Sequence, residues 1–310
     1  YEARGKLSAD QVLAALEGRA PDPGRVVRAA PSRCVADARA LQRWSLDERR
    51  LPSGCDILFV DRPLWRQYQW QIVAVLAVSR IGAIFTPIFS GYGAPAIASR
   101  LADCEAKLLI TADGFLRRGS WVDLKSVADA AVASVPSVEH VVVVPRAGDA
   151  LEVPWTEGRD VLWAYPAEDP HETAPRDRDP ETPYMIIYTS GTTGRPKGAV
   201  HVHGGFPIKA AQDLAHTFDL TERDTLFWFT DLGWMMGPWA IAGSLLLGAR
   251  LVLYEGAPDY PAPDRLWSLV ERHKVTHLGL SPTVIRASMA HGEEPVRSHD
   301  RSSLRVLGST

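Results

Sequence analysis

The sequence predicts an α/β protein: βα-layered sheets with helices on both faces. Three observations carry the prediction. From about residue 72 onward, short β-rich runs alternate with longer helix-compatible stretches, the pattern of βα units building a mostly parallel sheet. A loop rich in glycine and hydroxyl side chains follows one of those runs directly. The 310 residues, 46% hydrophobic and 23% charged, can bury a large core in one big domain or two ordinary ones.

Residues 1–70 stand apart. They hold eleven arginines and one lysine against nine acids, with Trp44, Trp65 and Trp70 scattered without a period. Only 57–60 reads as a strand. The segment is either a divergent, loop-rich start to the domain or a stretch partly outside the authentic reading frame, and intact-mass analysis of native-source protein separates the two. Its mixed charge favours a solvated face over a nucleic-acid patch.

The expected helices then cover 71–80, 94–103, 122–134, 205–218, 239–247, 265–273 and 283–291. The expected strands cover 84–88, 107–111, 140–144, 184–189, 225–230, 250–254, 276–280 and 304–307. Between Pro145 and Pro183 lie seven prolines among many acids with little apolar periodicity, so an exposed connector is expected there.

Charge and composition narrow the function classes. A net charge of -3 and a pI near 6.3 supply no overall basic field for nucleic acid or an anionic membrane. Cys34, Cys55 and Cys104 are too far apart for a zinc site or a disulfide framework, which fits a reducing cytoplasm. The longest apolar run, 72–78, falls far short of the ~20 residues that cross a bilayer, and no signal-peptide pattern opens the chain. The expectation is a soluble cytoplasmic protein without nucleic-acid or membrane partners; its oligomeric state is not legible. Because the chain begins at Tyr1 and ends at Thr310 directly after a strand-like run, it reads as a fragment.

The most informative segment is Tyr188-Thr189-Ser190-Gly191-Thr192-Thr193-Gly194-Arg195-Pro196-Lys197-Gly198, directly after an apolar strand. Glycines let backbone N–H groups turn toward an anion, the hydroxyls add donors, and Lys197 supplies a mobile positive charge. Such a loop can hold a triphosphate. The P-loop of kinases and ATPases needs Gly-Lys followed by Ser or Thr, whereas Lys197 lies between Pro196 and Gly198. A plain surface turn is the bland alternative, and the density of glycine, hydroxyl and lysine here argues against it.

This segment resembles the phosphate-loop signature of the adenylate-forming superfamily, which includes acyl-CoA synthetases, luciferases and peptide-synthetase adenylation domains. The resemblance implies that Thr189, Ser190, Gly191, Thr192, Thr193, Gly194 and Lys197 grip the phosphates of ATP, which brings Mg2+. A carboxylate then attacks the α-phosphorus, pyrophosphate leaves, and the thiol of coenzyme A displaces AMP. Fixed dipoles and a cation would stabilise the leaving pyrophosphate.

Within the superfamily, residues from about 72 onward are most similar to acetyl-CoA synthetase and its short- and medium-chain relatives. Thr230-Asp231-Leu232-Gly233-Trp234-Met235-Met236-Gly237 resembles that branch's Ala-Asp-x-Gly-Trp segment, which implies an acyl pocket at Trp234, Met235, Met236 and Gly237. The methionines stand where the acetate enzymes carry small residues; simple core packing is the competing reading for them and for Trp234. Thr111-Ala112-Asp113, leading to Arg117-Arg118-Gly119-Ser120, resembles a segment whose arginines meet coenzyme A phosphates. Ser120 stands where the second arginine is expected. By the same resemblance Gly91, in Ser90-Gly91-Tyr92-Gly93, and Ser281, in Ser281-Pro282-Thr283, lie beside coenzyme A, together with Arg117 and Arg118. His201 and His203 lack further ligands, and no metal is assigned to them.

The resemblance also implies a division into a poorly matching segment, 1–70, and an incomplete AMP-binding N-terminal domain, 71–310. The family's adenine loop, ribose aspartate and C-terminal lid with its catalytic lysine are missing. No catalytic residue is therefore assigned, and this chain alone is expected to be inactive. The alternative is a non-catalytic truncated product that keeps the nucleotide-binding fold.

Overall fold

The computed structural model describes residues 35–37, 56–58, 78, 81–146, 153–163, 178–189 and 196–309. The chain divides into two compact units, Tyr1–Gln67 and Tyr68–Thr310. In the first, β1 (Val35–Asp37) and β2 (Asp56–Leu58) pair in parallel. Of the expected helix 71–80 only Val78, which is helical, lies within the described residues.

Among the described residues of the second unit, α1 (Ala94–Asp103) is followed by β3 (Leu108–Ala112). The hairpin β4 (Gly114–Arg117) and β5 (Ser120–Asp123) leads into α2 (Leu124–Val132), whose first turn is capped by Asp123 accepting from the Ser126 N–H at 2.9 Å. Next come β6 (His140–Val144) and β7 (Asp160–Leu162). The order β3-β6-β7 is fully parallel. Leu101, Val132, Val135, Val141 and Val143 form the core of this layer.

The antiparallel pair β8 (Pro183–Thr189) and β9 (Lys197–Val202) precedes α3 (Phe206–Phe218). A second parallel sheet follows, built from β10 (Thr225–Trp228), β11 (Arg250–Leu251), β12 (His277–Leu280) and β13 (Val306–Ser309) in the order β11-β10-β12-β13. Its connections are α4 (Met236–Leu247), α5 (Arg265–His273), α6 (Pro282–Met289) and the short α7 (Glu294–Arg297). Helices α3 and α4 pack on β8 and β10 around Met185, Leu214, Leu226, Trp228 and Trp239; α5 packs on β10 and β12 through Leu266, Leu269, Val270 and Leu278. The α/β class and the parallel sheets match the expectation. No helix among the described residues is long and apolar enough to cross a membrane.

Several differences from the expected elements have physical causes. The run 84–88 forms one bridge, Phe85 to Met185, because Pro87 has no N–H to continue a ladder. The expected helix 122–134 yields its first residues to β5. The strand β9 and the hairpin β4–β5 were not anticipated, since each is decided by its partner strand. The expected connector also contains β7, held by a buried charge cluster. Lys125, with no exposed side-chain surface, meets Asp129 at 2.7 Å, Asp160 at 2.9 Å and the Pro154 carbonyl at 2.9 Å. Burial alone would raise the Asp160 carboxyl, but hydrogen bonds from Arg159, Lys125 and the Thr156 N–H outweigh it and hold it down at about 2.

A second charged contact ties the loop before β13 to α5. The His299 ring spans Glu271 (Nδ1 to Oε2, 2.6 Å) and Asp264 (Nε2 to Oδ2, 3.0 Å). The Glu271 hydrogen bond, with help from Asp264, raises the imidazole above its ordinary value despite partial burial. A raised folded value means that the stabilisation is complete below the ordinary imidazole pKa and is lost as pH rises through the folded one. The melting-temperature difference between the parent and His299→Gln should therefore be larger at pH 6 than at pH 9. An equal difference at both would show that the ring acts as a neutral spacer.

Candidate functional site

The hairpin β8–β9 sets the site's geometry. Its register pairs Ile187 with Ala199, Tyr188 with Gly198 and Thr189 with Lys197, so Thr189 and Lys197 face each other where the two strands open into the glycine-rich loop. Ser190, Gly191, Thr192, Thr193 and Gly194 lie outside the described residues. Lys197 is exposed and makes no ion pair among the described residues. An exposed ammonium at the mouth of such a loop suits a polyphosphate. No cluster of three or more His, Cys, Asp or Glu able to hold a metal occurs among the described residues.

Tyr188 anchors the base of the loop. Its hydroxyl donates to Asp103 Oδ2 at 2.6 Å, with the Arg100 carbonyl 3.3 Å away. Burial, reinforced by the acceptor carboxylate, raises the phenol and keeps it a neutral donor. The strand preceding the loop is thereby tied to the C-terminal turn of α1.

The expected acyl-pocket residues divide between two places. Met235 and Met236 line a groove of about 690 Å³ between β9, α3 and α4, together with His201, Phe206, Ala210 and Trp239. Burial lowers the His201 imidazole, so the ring enters this groove neutral near pH 7. Gly237 is buried and borders a small separate cavity with Thr230, Leu232 and Ala240. Trp234 points elsewhere: its ring lies against Phe89 (centroids 5.1 Å) and Tyr92 (5.9 Å).

That aromatic cluster joins two segments 140 residues apart in sequence, the Ser90–Gly93 turn and the Asp231–Trp234 turn. The Asp231 carboxylate accepts from Ser90 Oγ and from the Gly233 N–H at 2.7 Å. Gly233 is required by the approach, since a Cβ there would sit 2.2 Å from the Phe89 nitrogen. Gly91 is thus brought beside the Trp234 segment. Sequence reasoning passed over Asp231, Ser90 and Gly233 as a unit; the local signal was the Asp-x-Gly spacing of an Asx-type turn.

The remaining expected coenzyme A residues sit as follows. Arg117 is exposed at the end of β4, while the Arg118 guanidinium is held by both Asp259 oxygens at 2.7 and 2.9 Å. Ser281 caps α6, accepting from the Val284 N–H. His291, just past α6, lies 3.7 Å from Asp259, so the tip of β4–β5 and the end of α6 both meet that carboxylate. Arg117 therefore stays available to an anion, and Arg118 is already paired.

Parallel sheets interleaved with helices define the class, an α/β protein. A solved acetoacetyl-CoA synthetase from Streptomyces lividans superposes with a TM-score of 0.69 at 29% identity, over 77% of this chain and 36% of that one. The chain belongs to the AMP-binding enzyme family, whose model matches residues 64–310. It is 47% identical over 249 residues to the acetyl-coenzyme A synthetase of Pyrobaculum aerophilum and 46% identical over 239 residues to that of Rhodopirellula baltica. The matches cover 76% of this chain and 36% and 35% of those relatives, so the chain spans about a third of their length.

Proposed function

We propose that the protein to which this chain belongs activates a short- or medium-chain carboxylic acid, forming an acyl-adenylate from ATP and then acyl-CoA. The carboxylate oxygen bonds to the α-phosphorus as pyrophosphate departs; the thiol sulfur of coenzyme A then bonds to the acyl carbon as AMP departs. The observation that carries this reading is the β8–β9 register, which sets Thr189 against Lys197 at the mouth of the glycine-rich loop. ATP phosphates, arriving with Mg2+, would be held there by Thr189, Ser190, Gly191, Thr192, Thr193, Gly194 and Lys197. Lys197 would neutralise charge growing on the pyrophosphate.

The acid's apolar part would enter the groove beside Met235 and Met236, which is wider than acetate needs. Trp234, packed on Phe89 and Tyr92, and Gly237, at the separate cavity, would act on the acid by fixing the segment that carries Met235 and Met236. Coenzyme A would pass Gly91 and Ser281, with Arg117 reaching a phosphate and Arg118 reaching one only by leaving Asp259. We infer a domain division near residue 70, and a cytoplasmic setting in which all three substrates occur.

The test is carboxylate-dependent exchange of labelled pyrophosphate into ATP, run on this chain and on the protein expressed from its full coding sequence, over acids from acetate to octanoate. Exchange by the full protein is the expected result, and the best acid names the substrate. Silence across the panel would make the locus a non-catalytic product that retains the fold.

A further inference from the structure

Arg100 is the fourth residue from the end of the expected helix 94–103, and nothing in its local sequence distinguishes it from a surface arginine. The structure buries it, with 8% of its surface exposed. Its guanidinium donates to the Ala96 carbonyl at 2.6 Å, and its carbon lies 4.2 Å from the centre of the Tyr92 ring and 5.8 Å from that of Tyr188. A guanidinium at these distances is attracted to the negative ring faces, more strongly once water is excluded. Tyr188 directly precedes Thr189, where the glycine-rich loop departs; Tyr92 is in the Ser90–Gly93 turn and touches Trp234. One buried cation on α1 thus lies between the strand feeding that loop and the aromatic cluster.

The two rings depend on Arg100 unequally. Tyr188 is fixed by the β8–β9 ladder and by its hydrogen bond to Asp103. Tyr92 belongs to a turn held by one backbone bond, Tyr92 N–H to Phe89 O at 3.1 Å, by the Ser90 Oγ bond to Asp231 and by ring contacts with Phe89 and Trp234, none of which involves the Tyr92 hydroxyl. Loss of the cation falls on Tyr92.

We propose that Arg100 is a positioning residue that holds the Ser90–Gly93 turn, through Tyr92, in register with the nucleotide-loop strand, so that it acts on the thioester half of the reaction and not on adenylation. The inference rests on the proposed function above. It assigns Arg100 no contact with substrate: its effect passes through the Tyr92 ring face.

The test compares Arg100→Met, Arg100→Lys, Tyr92→Leu, Tyr92→Phe and the double variant Arg100→Met/Tyr92→Leu in the protein from its full coding sequence. Arg100→Met and Tyr92→Leu are each expected to raise the KM for coenzyme A about fivefold while pyrophosphate exchange stays within about twofold. The double variant should be no worse than the poorer single, Tyr92→Phe should match the parent because the ring face remains, and Arg100→Lys should recover part of the loss. Equal loss in both half-reactions, or single effects that multiply in the double variant, overturns the proposal. If thermal melting shows Arg100→Met unfolded, the contrast between Tyr92→Leu and Tyr92→Phe decides alone. A parent protein silent in exchange overturns the proposed function; the same fivefold change is then read calorimetrically as coenzyme A affinity, and a parent that does not bind coenzyme A overturns both.

Discussion

Lys197→Ala, made in the protein expressed from its full coding sequence, is expected to lower carboxylate-dependent pyrophosphate exchange by about 100-fold or more, the usual scale for removing one fixed group from a developing anion. The side chain is exposed at the end of β9 and is unpaired among the described residues, so its removal should leave the melting temperature nearly unchanged. The loss should appear mainly in the turnover rate, because a cation facing a leaving group matters most once charge has accumulated there. Lys197→Arg keeps the charge on a bulkier, planar head and should recover only part of the rate. Exchange within threefold of the parent for Lys197→Ala would remove this residue from the phosphate grip and leave the loop's backbone and hydroxyls as its only elements.

The largest stability effect is expected at Gly279. On the sheet β10-β12-β13 the register places Trp228 beside Gly279 and Gly279 beside Gly308. The indole lies flat across this two-glycine shelf: a Cβ at Gly279 would sit 2.1 Å from Trp228 Cδ2, and one at Gly308 2.8 Å from Cη2. Trp228 cannot retreat, because Trp239 and Phe218 close on its ring at 5.0 and 5.6 Å between centroids. Gly279→Ala should cost about 3 kcal/mol, the upper part of the range for overpacking a filled core, and Gly308→Ala clearly less. Denaturant titration reads both, and a reversed order would mean that the ring does not rest on β12.

Much of the frame is legible from periodicity. The helices 94–103 and 265–273 and the strand 140–144 form where the pattern places them, because each carries its own apolar stripe or run and needs only a generic sheet to bury it. The family is legible for a related reason: the segment 188–198 that carries the resemblance holds its information in composition over about ten consecutive residues. The elements that escape notice are those whose reason to exist is elsewhere in the chain. Strand β7 has three residues, Asp160–Leu162, and no period; it is fastened by Lys125, thirty-five positions upstream. The end of β5, residues 122–123, reads as the start of a helix until Asp123 is seen capping one.

By itself, then, the sequence determines the α/β class, the main succession of strands and helices and the family to which the chain belongs, because these are local properties of residue type and spacing. Only the tertiary structure decides that Trp234 packs against Phe89 and Tyr92 while Met235 and Met236 turn to the groove, that Arg118 is already paired with Asp259, and that Arg100 lies buried between two tyrosines. These are relations between residues up to 145 positions apart, Phe89 and Trp234, and the energies that select them, ring packing, ion pairing and cation–π attraction, act over a few ångströms and so exist only after the chain has brought the partners together.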